Sequence, residues 1–398
     1  MLVLPPDMKE RKRMSLVLSN REASCHSVSY AHGVILERSC FVRKIVKDKI
    51  EGDKTTAKMV YSDEFSSFLD QHRTNIFIVI AFVISSWLYN KFRVNRIFFP
   101  SKCSMRGKTI LITGGVSGIG YETAKDLLQR NARVIIADYN MKKGREAIEQ
   151  LWLETGCEKS RIRLMKCDLR SFRSVRQFVQ LYNTEEQRLD VLICNAGIAW
   201  APELLTEDGF STVMQVNYLS HFLLINLLMN KLNECRPSRI VFVASGAHRM
   251  VRSIDWSDAF TQFKSFRIWG IYPMSKAFTL LFALKLKHTL DSNDVAIFAV
   301  NPSWVWTSIQ TPMREAIGLI LFLICYPILY ALKFILAKTP QTGARTSIFC
   351  AVEPSLQHSK DLYFEDCKVE TVSSLCTNYA LADQLWEISL QAVGLPVS

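Results

Sequence analysis

The chain has 398 residues, a length that holds one large α/β domain or two smaller ones. Its 49% hydrophobic and 22% charged content is ample for a core and excludes global disorder. The formal net charge of +12 comes from Lys and Arg spread along the chain, clustered locally at residues 9–13 and 43–49; with no aromatic-interleaved basic face, it points to an anionic membrane surface and not to nucleic acid.

Eleven cysteines lie scattered, with no CxxC pair and no His/Cys cluster at metal spacing. That usage fits reduced thiols on the cytosolic side and predicts neither a metal site nor a disulfide framework. Residues 1–72 show no sustained periodicity and read as a poorly structured extension. A cleavable signal at Met1 is not expected, because Leu2-Val3-Leu4 runs straight into Pro5-Pro6 and then charge.

Residues 76–89, IFIVIAFVISSWLY, form fourteen consecutive uncharged positions. This is shorter than the ~20 residues of a full crossing, so a buried core helix is one reading. A membrane anchor spanning 73–97 is the preferred one. Lys91, Arg93 and Arg96 crowd the C-terminal flank, which places the downstream domain in the cytosol by the positive-inside rule.

From Met105 onward strand and helix patterns alternate. Strands are predicted at 109–113, 133–137, 162–166, 191–195, 240–244 and 296–300, and helices around 122–129, 143–154, 171–183, 209–228 and 275–290. A further helix is expected at 341–352. The alternation predicts an α/β fold with a single doubly wound parallel sheet.

The first strand runs into TGGVSGIG, four glycines within the seven residues from Gly114 to Gly120, followed by an amphipathic helix. Such a strand–turn–helix unit binds a dinucleotide: glycines let the backbone approach a pyrophosphate, and the helix N-terminus offers free N–H groups. Asp138 ends the second strand, where a carboxylate accepts hydrogen bonds from both adenosine ribose hydroxyls and repels a 2′-phosphate. Asp168, after the third strand, is placed to approach adenine, and Cys194–Gly197 ends the fourth with small residues along the cofactor path.

Tyr272 and Lys276 stand four residues apart, so on a helix they project from one face. An ammonium beside a phenol favours the phenolate, which brings a poor acid–base group toward the working range. Lys276 is also placed to hold the nicotinamide ribose, and Ser245 to donate to the substrate oxygen. A bare YxxxK carries little information; in this order, after TGxxxGxG, NAG and a serine-bearing strand, it carries a great deal.

Taken together, Thr113–Gly120, Asn195–Gly197, Asn217, Ser245, Tyr272 and Lys276 resemble the motif series of the short-chain dehydrogenases/reductases. VNYLSHFLL, SGAH, AKTPQTGARTSIFCAV, YFEDC and LWEIS are similar to the membrane-associated retinol dehydrogenase branch and to a related X-linked, polyprenol-acting dehydrogenase/reductase. The resemblance covers residues 104–398 and implies a Rossmann catalytic domain. It implies Tyr272 as acid–base catalyst, Lys276 as its electrostatic partner, Ser245 orienting the reacting oxygen, and Asn217 supporting a water-linked proton relay. It implies cofactor contacts from Thr113, Gly114, Ser117, Gly118, Ile119, Gly120, Asp138, Asp168, Leu169, Asn195, Ala196, Gly197, Tyr272, Lys276 and Thr307. An endoplasmic-reticulum or lipid-droplet membrane with the catalytic domain facing the cytosol follows from the same resemblance, which leaves a homodimer open.

The chain departs from the family pattern at four places. Cys194 stands where Asn is usual, Ala244 where a second Ser is common, and Ser303 where Pro-Gly has its glycine. Tyr139 replaces an arginine that suits NADP in many retinol dehydrogenase relatives, so with Asp138 beside it NAD is the expected cofactor; Lys142, Lys143 and Arg145 keep NADP as the alternative.

Residues 317–332, IGLILFLICYPILYAL, form sixteen uncharged positions interrupted by Pro327. A second crossing fails on topology, since both flanks belong to one sheet domain. The segment reads as a membrane-dipping substrate cover or as a core hairpin. A cover of this kind implies a lipophilic alcohol, aldehyde or ketone such as a retinoid or polyprenoid. The alternative function is a dinucleotide-binding regulatory or scaffold protein without turnover, against which the intact Ser245–Tyr272–Lys276 set argues.

Overall fold

The computed structural model describes residues 71, 73, 74, 77, 78, 81–88, 91, 103–199, 201, 205–261, 270–290, 295–305 and 337–396. The chain divides into two units at residues 82 and 83, and the sheet lies wholly in the second. Its elements are β1 (Thr109–Thr113), α1 (Gly118–Gln129), β2 (Arg133–Asp138), α2 (Met141–Thr155), β3 (Ile162–Lys166), α3 (Phe172–Glu185) and β4 (Val191–Cys194). There follow α4 (Thr212–Glu234), β5 (Ser238–Val243), α5 (Ile271–Thr289), β6 (Val295–Asn301), α6 (Pro340–Val352), β7 (Tyr363–Glu365), β8 (Lys368–Val369) and α7 (Tyr379–Ala392).

The strand order is β3-β2-β1-β4-β5-β6-β7-β8, parallel throughout except for the β7–β8 pair. The order reverses between β1 and β4, and ligands bind such sheets in the crevice outside the strand ends at that reversal. Thr113 pairs with Ala137, and Ile112 with Ile193, so the ends of β1, β2 and β4 come level there.

Strand alternation builds two cores. Leu111 faces one core with Phe222 of α4, Phe278 of α5 and Leu385 of α7, while Ile110 and Ile112 face the other with Leu127 of α1, Leu151 of α2 and Ile348 of α6. Each of these fully buried side chains contributes about 1.5–3 kcal/mol by leaving water.

The predicted strands are all present, within two residues at their ends. The first helix begins at Gly118 and not at residue 122, because two glycines of the turn belong to its opening residues. β7, β8 and α7 were not predicted. The β7–β8 turn places Asp366 and Cys367 at φ of 52° and 59°, a geometry that Asn-Gly ordinarily announces, so Asp-Cys gave no local signal.

Two apolar segments behave differently. α4 is long and apolar enough to cross a membrane by composition, yet 83% of its most apolar stretch is buried in the domain. Residues 81–88 are helical and carry their apolar side chains outward, Phe82 at 71% and Leu88 at 53% exposure. The expected cover at 317–332 lies outside the described residues. Its flanks meet: Val305 bridges Lys338, and the Lys338 N–H donates to the Trp304 carbonyl at 2.8 Å.

Candidate active site

The glycine turn after β1 is set by crowding. Gly114 has φ +68°, and a Cβ there would lie 2.9 Å from Ala196 Cα. A Cβ at Gly120 would overlap the Gly114 carbonyl and Asn195 Nδ2. Asn195 Nδ2 donates to the carbonyls of Thr113 and Gly114 at 2.9 and 3.0 Å, lacing the turns after β1 and β4 together. Ser117 caps α1 without a side-chain hydrogen bond, and the first turn of α1 holds no acidic residue. A helix N-terminus of this kind, beside backbone that tolerates no side chain, fits a dinucleotide pyrophosphate.

At the end of β2 Asp138 is 6% exposed and accepts from the Asn140 N–H at 2.9 Å. Burial raises its carboxyl above the usual range against the Asn140 and Tyr139 amides, and the charge of Asp168 pushes it the same way as burial. The two carboxylates therefore share one neighbourhood. Asp168 in turn holds Arg170, accepting from Nε at 3.1 Å and Nη2 at 2.8 Å. The Arg170 guanidinium lies 5.2 Å from the Tyr139 ring centre. No arginine occupies position 139, but one reaches that ring from the turn after β3, a connection invisible in the sequence. Leu169 is buried, and its carbonyl accepts from Ser220 Oγ at 2.6 Å.

Asn217 sits in a π-helical turn, Gln215–Leu219, inside α4, where the Ser220 N–H reaches back to the Gln215 carbonyl. Such one-turn widenings recur at functional sites. Its side chain is fully engaged: Oδ1 accepts from the Ile198 N–H at 2.8 Å, and Nδ2 donates to the Ile198 carbonyl and to Ser275 Oγ, each at 2.9 Å. Ser275 Oγ donates onward to the Tyr272 carbonyl at 2.8 Å.

Ser245 follows β5, its Oγ accepts from the Ala247 N–H at 3.2 Å, and its side chain acts on the Tyr272 phenol of α5, favouring the phenolate. Lys276, one helical turn on, is 4% exposed; its Nζ donates to the Val243 carbonyl at 2.9 Å and lies 5.7 Å from the Tyr272 ring centre. A Cβ at Gly197 would lie 3.4 Å from both Lys276 Nζ and Asn217 Oδ1, which places Gly197 against the same corner. The structure thus gathers Asn217, Ser245, Tyr272, Lys276 and Gly197 at the ends of β4 and β5. Ile119 lies in the first turn of α1; Thr307 lies outside the described residues.

The electrostatics differ from expectation. Burial raises the Tyr272 phenol, opposed by the Ser245 hydrogen bond. Burial also lowers the Lys276 ammonium to about 8, with nearby Cys194 opposing. Desolvation thus pushes both groups toward their neutral forms.

Beyond β6, Ser303 adopts φ +62° and donates through Oγ to Glu365 Oε1 at 2.6 Å, while buried Lys338 donates to Ser303 Oγ at 2.7 Å and pairs with Asp366. Sequence reasoning missed this cluster, and with it Ser275, Arg170 and His221. Only His221 left a local signal, standing one helical turn after Asn217.

With this geometry in place, comparison with known proteins is direct. The family described as short chain dehydrogenase matches residues 108–318. Retinol dehydrogenase 11 of Mus musculus is 37% identical over 301 residues, covering 75% of this chain and 90% of its own. Retinol dehydrogenase 14 of Homo sapiens is 37% identical over 302 residues, covering 73% and 88%. Among solved structures, an uncharacterized protein from Mycobacterium paratuberculosis superposes with a TM-score of 0.57 at 27% identity, covering 74% of this chain and 97% of its own.

Proposed function

The chain belongs to the short chain dehydrogenase family, on its retinol dehydrogenase branch, and from that premise we propose that it interconverts a lipophilic alcohol and its carbonyl with NAD, using Tyr272 as the acid–base residue. Membership makes it an oxidoreductase dependent on a nicotinamide dinucleotide. The observation that carries the finer reading is buried Lys276, its Nζ 5.7 Å from the Tyr272 ring centre and held by the Val243 carbonyl at the end of β5, just before Ser245.

A nicotinamide dinucleotide, when bound, would supply or accept the hydride. The protein's task is the proton and the geometry. Ser245 donates to the reacting oxygen and holds it within reach of the Tyr272 hydroxyl. The neutral phenol, favoured by burial, gives its proton to that oxygen in reduction and becomes the phenolate; in the reverse direction the phenolate takes the alcohol's proton and becomes the phenol again. Lys276, held by the Val243 carbonyl, has further N–H groups that would hold the ribose of a bound dinucleotide. Asn217 anchors the loop after β4 through Ile198 and α5 through Ser275.

Asp138, buried at the end of β2, supports NAD by disfavouring a second anionic group at the ribose. The relatives' name, retinol dehydrogenase, supports a lipophilic alcohol as substrate. The outward apolar side chains of residues 81–88 support a membrane anchor, and the meeting of Val305 with Lys338 supports a segment that leaves and returns on one side of the membrane.

The test is a turnover screen of the full-length protein in microsomes against retinoids, polyprenols, sterols and small polar alcohols, with each dinucleotide. Turnover of a lipophilic alcohol with NAD is expected, and Tyr272→Phe should lower kcat by at least ~10²-fold while leaving dinucleotide binding intact. A Phe variant as active as the parent would refute the mechanism; dinucleotide binding with no turnover would establish the scaffold alternative.

A further inference from the structure

His221, 3% exposed on α4, touches both halves of the site. Nε2 lies 2.9 Å from Thr113 Oγ1, at the start of the glycine turn, and Nδ1 lies 3.2 Å from the Asn217 carbonyl, in the π turn. Which nitrogen carries the proton follows from counting donors and acceptors. A carbonyl has no proton to give, so Nδ1 must be the donor toward Asn217. Thr113 Oγ1 already accepts from the N–H groups of Asn195 and Ala196, each at 3.0 Å. A hydroxyl has two acceptor sites and one proton, so its remaining capacity is to donate, and Nε2 must be bare. The two ends of the ring give the same answer independently.

We propose that His221 is a positioning residue for the reaction: as its neutral Nδ1–H tautomer it accepts the Thr113 hydroxyl proton and donates to the Asn217 carbonyl, locking the dinucleotide turn to the turn that carries Asn217. The inference rests on the reading of Asn217 and Tyr272 as reaction-site residues. The hydrogen bonds form one path from Gly114 through Asn195, Thr113, His221, Asn217 and Ser275 to the Tyr272 backbone. An imidazolium does not fit the link, because a proton on Nε2 would face a hydroxyl whose acceptor sites are both taken. Burial and the charge of Lys276 act in the same sense, lowering the His221 imidazolium to about 4.

Thr113 Oγ1 organises the turn only while its own proton has an acceptor. Loss of the imidazole leaves the buried Thr113 proton without its acceptor and takes the side-chain donor from the Asn217 carbonyl, which costs more than the absence of a favourable contact. The effect reaches dinucleotide affinity through Thr113 and turnover through Asn217, and it should not reach substrate affinity.

Two measurements test this on the full-length protein in detergent micelles. The first is two-bond nitrogen–proton correlation on protein labelled at the imidazole nitrogens of its seven histidines. The His221 signals are assigned by the resonance that moves in Thr113→Ser. A protonated Nδ1 and a bare Nε2 at pH 7 are expected; an Nε2–H tautomer or an imidazolium would overturn the proposal. It needs neither substrate nor turnover, so it stands apart from any failure of the oxidoreductase reading.

The second is a double-mutant cycle. His221→Phe and Thr113→Val should each weaken dinucleotide binding and lower kcat by about tenfold with substrate KM unchanged, the double variant being little worse than either single one. Thr113→Ser, which keeps the hydroxyl, should lose clearly less affinity and kcat than Thr113→Val. Effects that multiply in the double variant, or a folded His221→Phe with parental affinity and kcat, would refute the link. If His221→Phe does not fold, the contrast between Thr113→Ser and Thr113→Val, read with the nitrogen spectra, decides the question.

Discussion

Asn217 Nδ2 lies 2.9 Å from Ser275 Oγ, a hydrogen bond that ties the π turn of α4 to the helix that carries Tyr272 and Lys276, beside the ring contacts of Tyr218 with Phe278 and Phe282. Ser275 is fully buried, and its hydroxyl both receives this bond and donates to the Tyr272 carbonyl. Ser275→Ala should remove the contact with little change in volume, lowering kcat by about tenfold and stability by about 1 kcal/mol. Ser275→Thr keeps the hydroxyl and should retain most of the turnover if the added methyl is accommodated. Steady-state kinetics beside urea unfolding separates the two effects, and an unaffected kcat in Ser275→Ala would show the contact to be structural alone.

The buried Lys276 should make stability depend on pH in a defined sense. Its ammonium titrates at about 8 in the fold against 10.5 when unfolded, so between those values the unfolded chain binds more protons. Stability attributable to this group therefore rises as pH climbs from about 8 to about 10.5, and the full burial cost applies below 8. Lys276→Met should accordingly be stabilising relative to the parent at pH 7, and that advantage should shrink by pH 10. Thermal unfolding of both proteins across this range checks the sign; an advantage that grows with pH would contradict it.

Cofactor preference should follow the charges gathered around Asp138. Placing a carboxylate near a 2′-phosphate should disfavour NADP by about 1–3 kcal/mol, or ~5–150-fold. Asp138→Ser combined with Tyr139→Arg should reverse the preference, as read from kcat/KM with each dinucleotide. Arg170→Ala supplies the complementary measurement. Because Asp168 already holds that guanidinium, NAD kinetics should change less than about threefold. A selective loss of NADP turnover in Arg170→Ala, together with a parent enzyme that prefers NADP, would assign Arg170 to the phosphate and overturn the NAD reading.

Ser303 carries a left-handed backbone where the family resemblance expects glycine, and its hydroxyl is what compensates. It donates to Glu365 and accepts from Lys338, whose side chain is 3% exposed. Ser303→Ala keeps the unfavourable φ and loses both bonds, for an expected cost of about 2–3 kcal/mol. Ser303→Gly relieves the backbone while losing the same bonds and should cost about 1 kcal/mol less than the alanine variant. Chemical denaturation of the three proteins checks the order, which would fail if alanine were no less stable than glycine.

The sequence by itself determined what depends on neighbours in the chain. Strand periodicity, the glycine turn and the four-residue spacing of Tyr272 and Lys276 are short-range, and each reappears in the fold. The order of motifs placed the residues that gather at the ends of β1, β4 and β5, because a doubly wound sheet brings strand ends together by topology. Tertiary structure alone decided the rest. His221 meets Thr113 across 108 positions, Asn217 meets Ser275 across 58, and Ser303 meets Glu365 across 62. Arg170 reaches Tyr139 only because β3 lies beside β2. The direction of the Tyr272 and Lys276 titrations was likewise hidden, because desolvation depends on what packs around a group and not on its sequence neighbours.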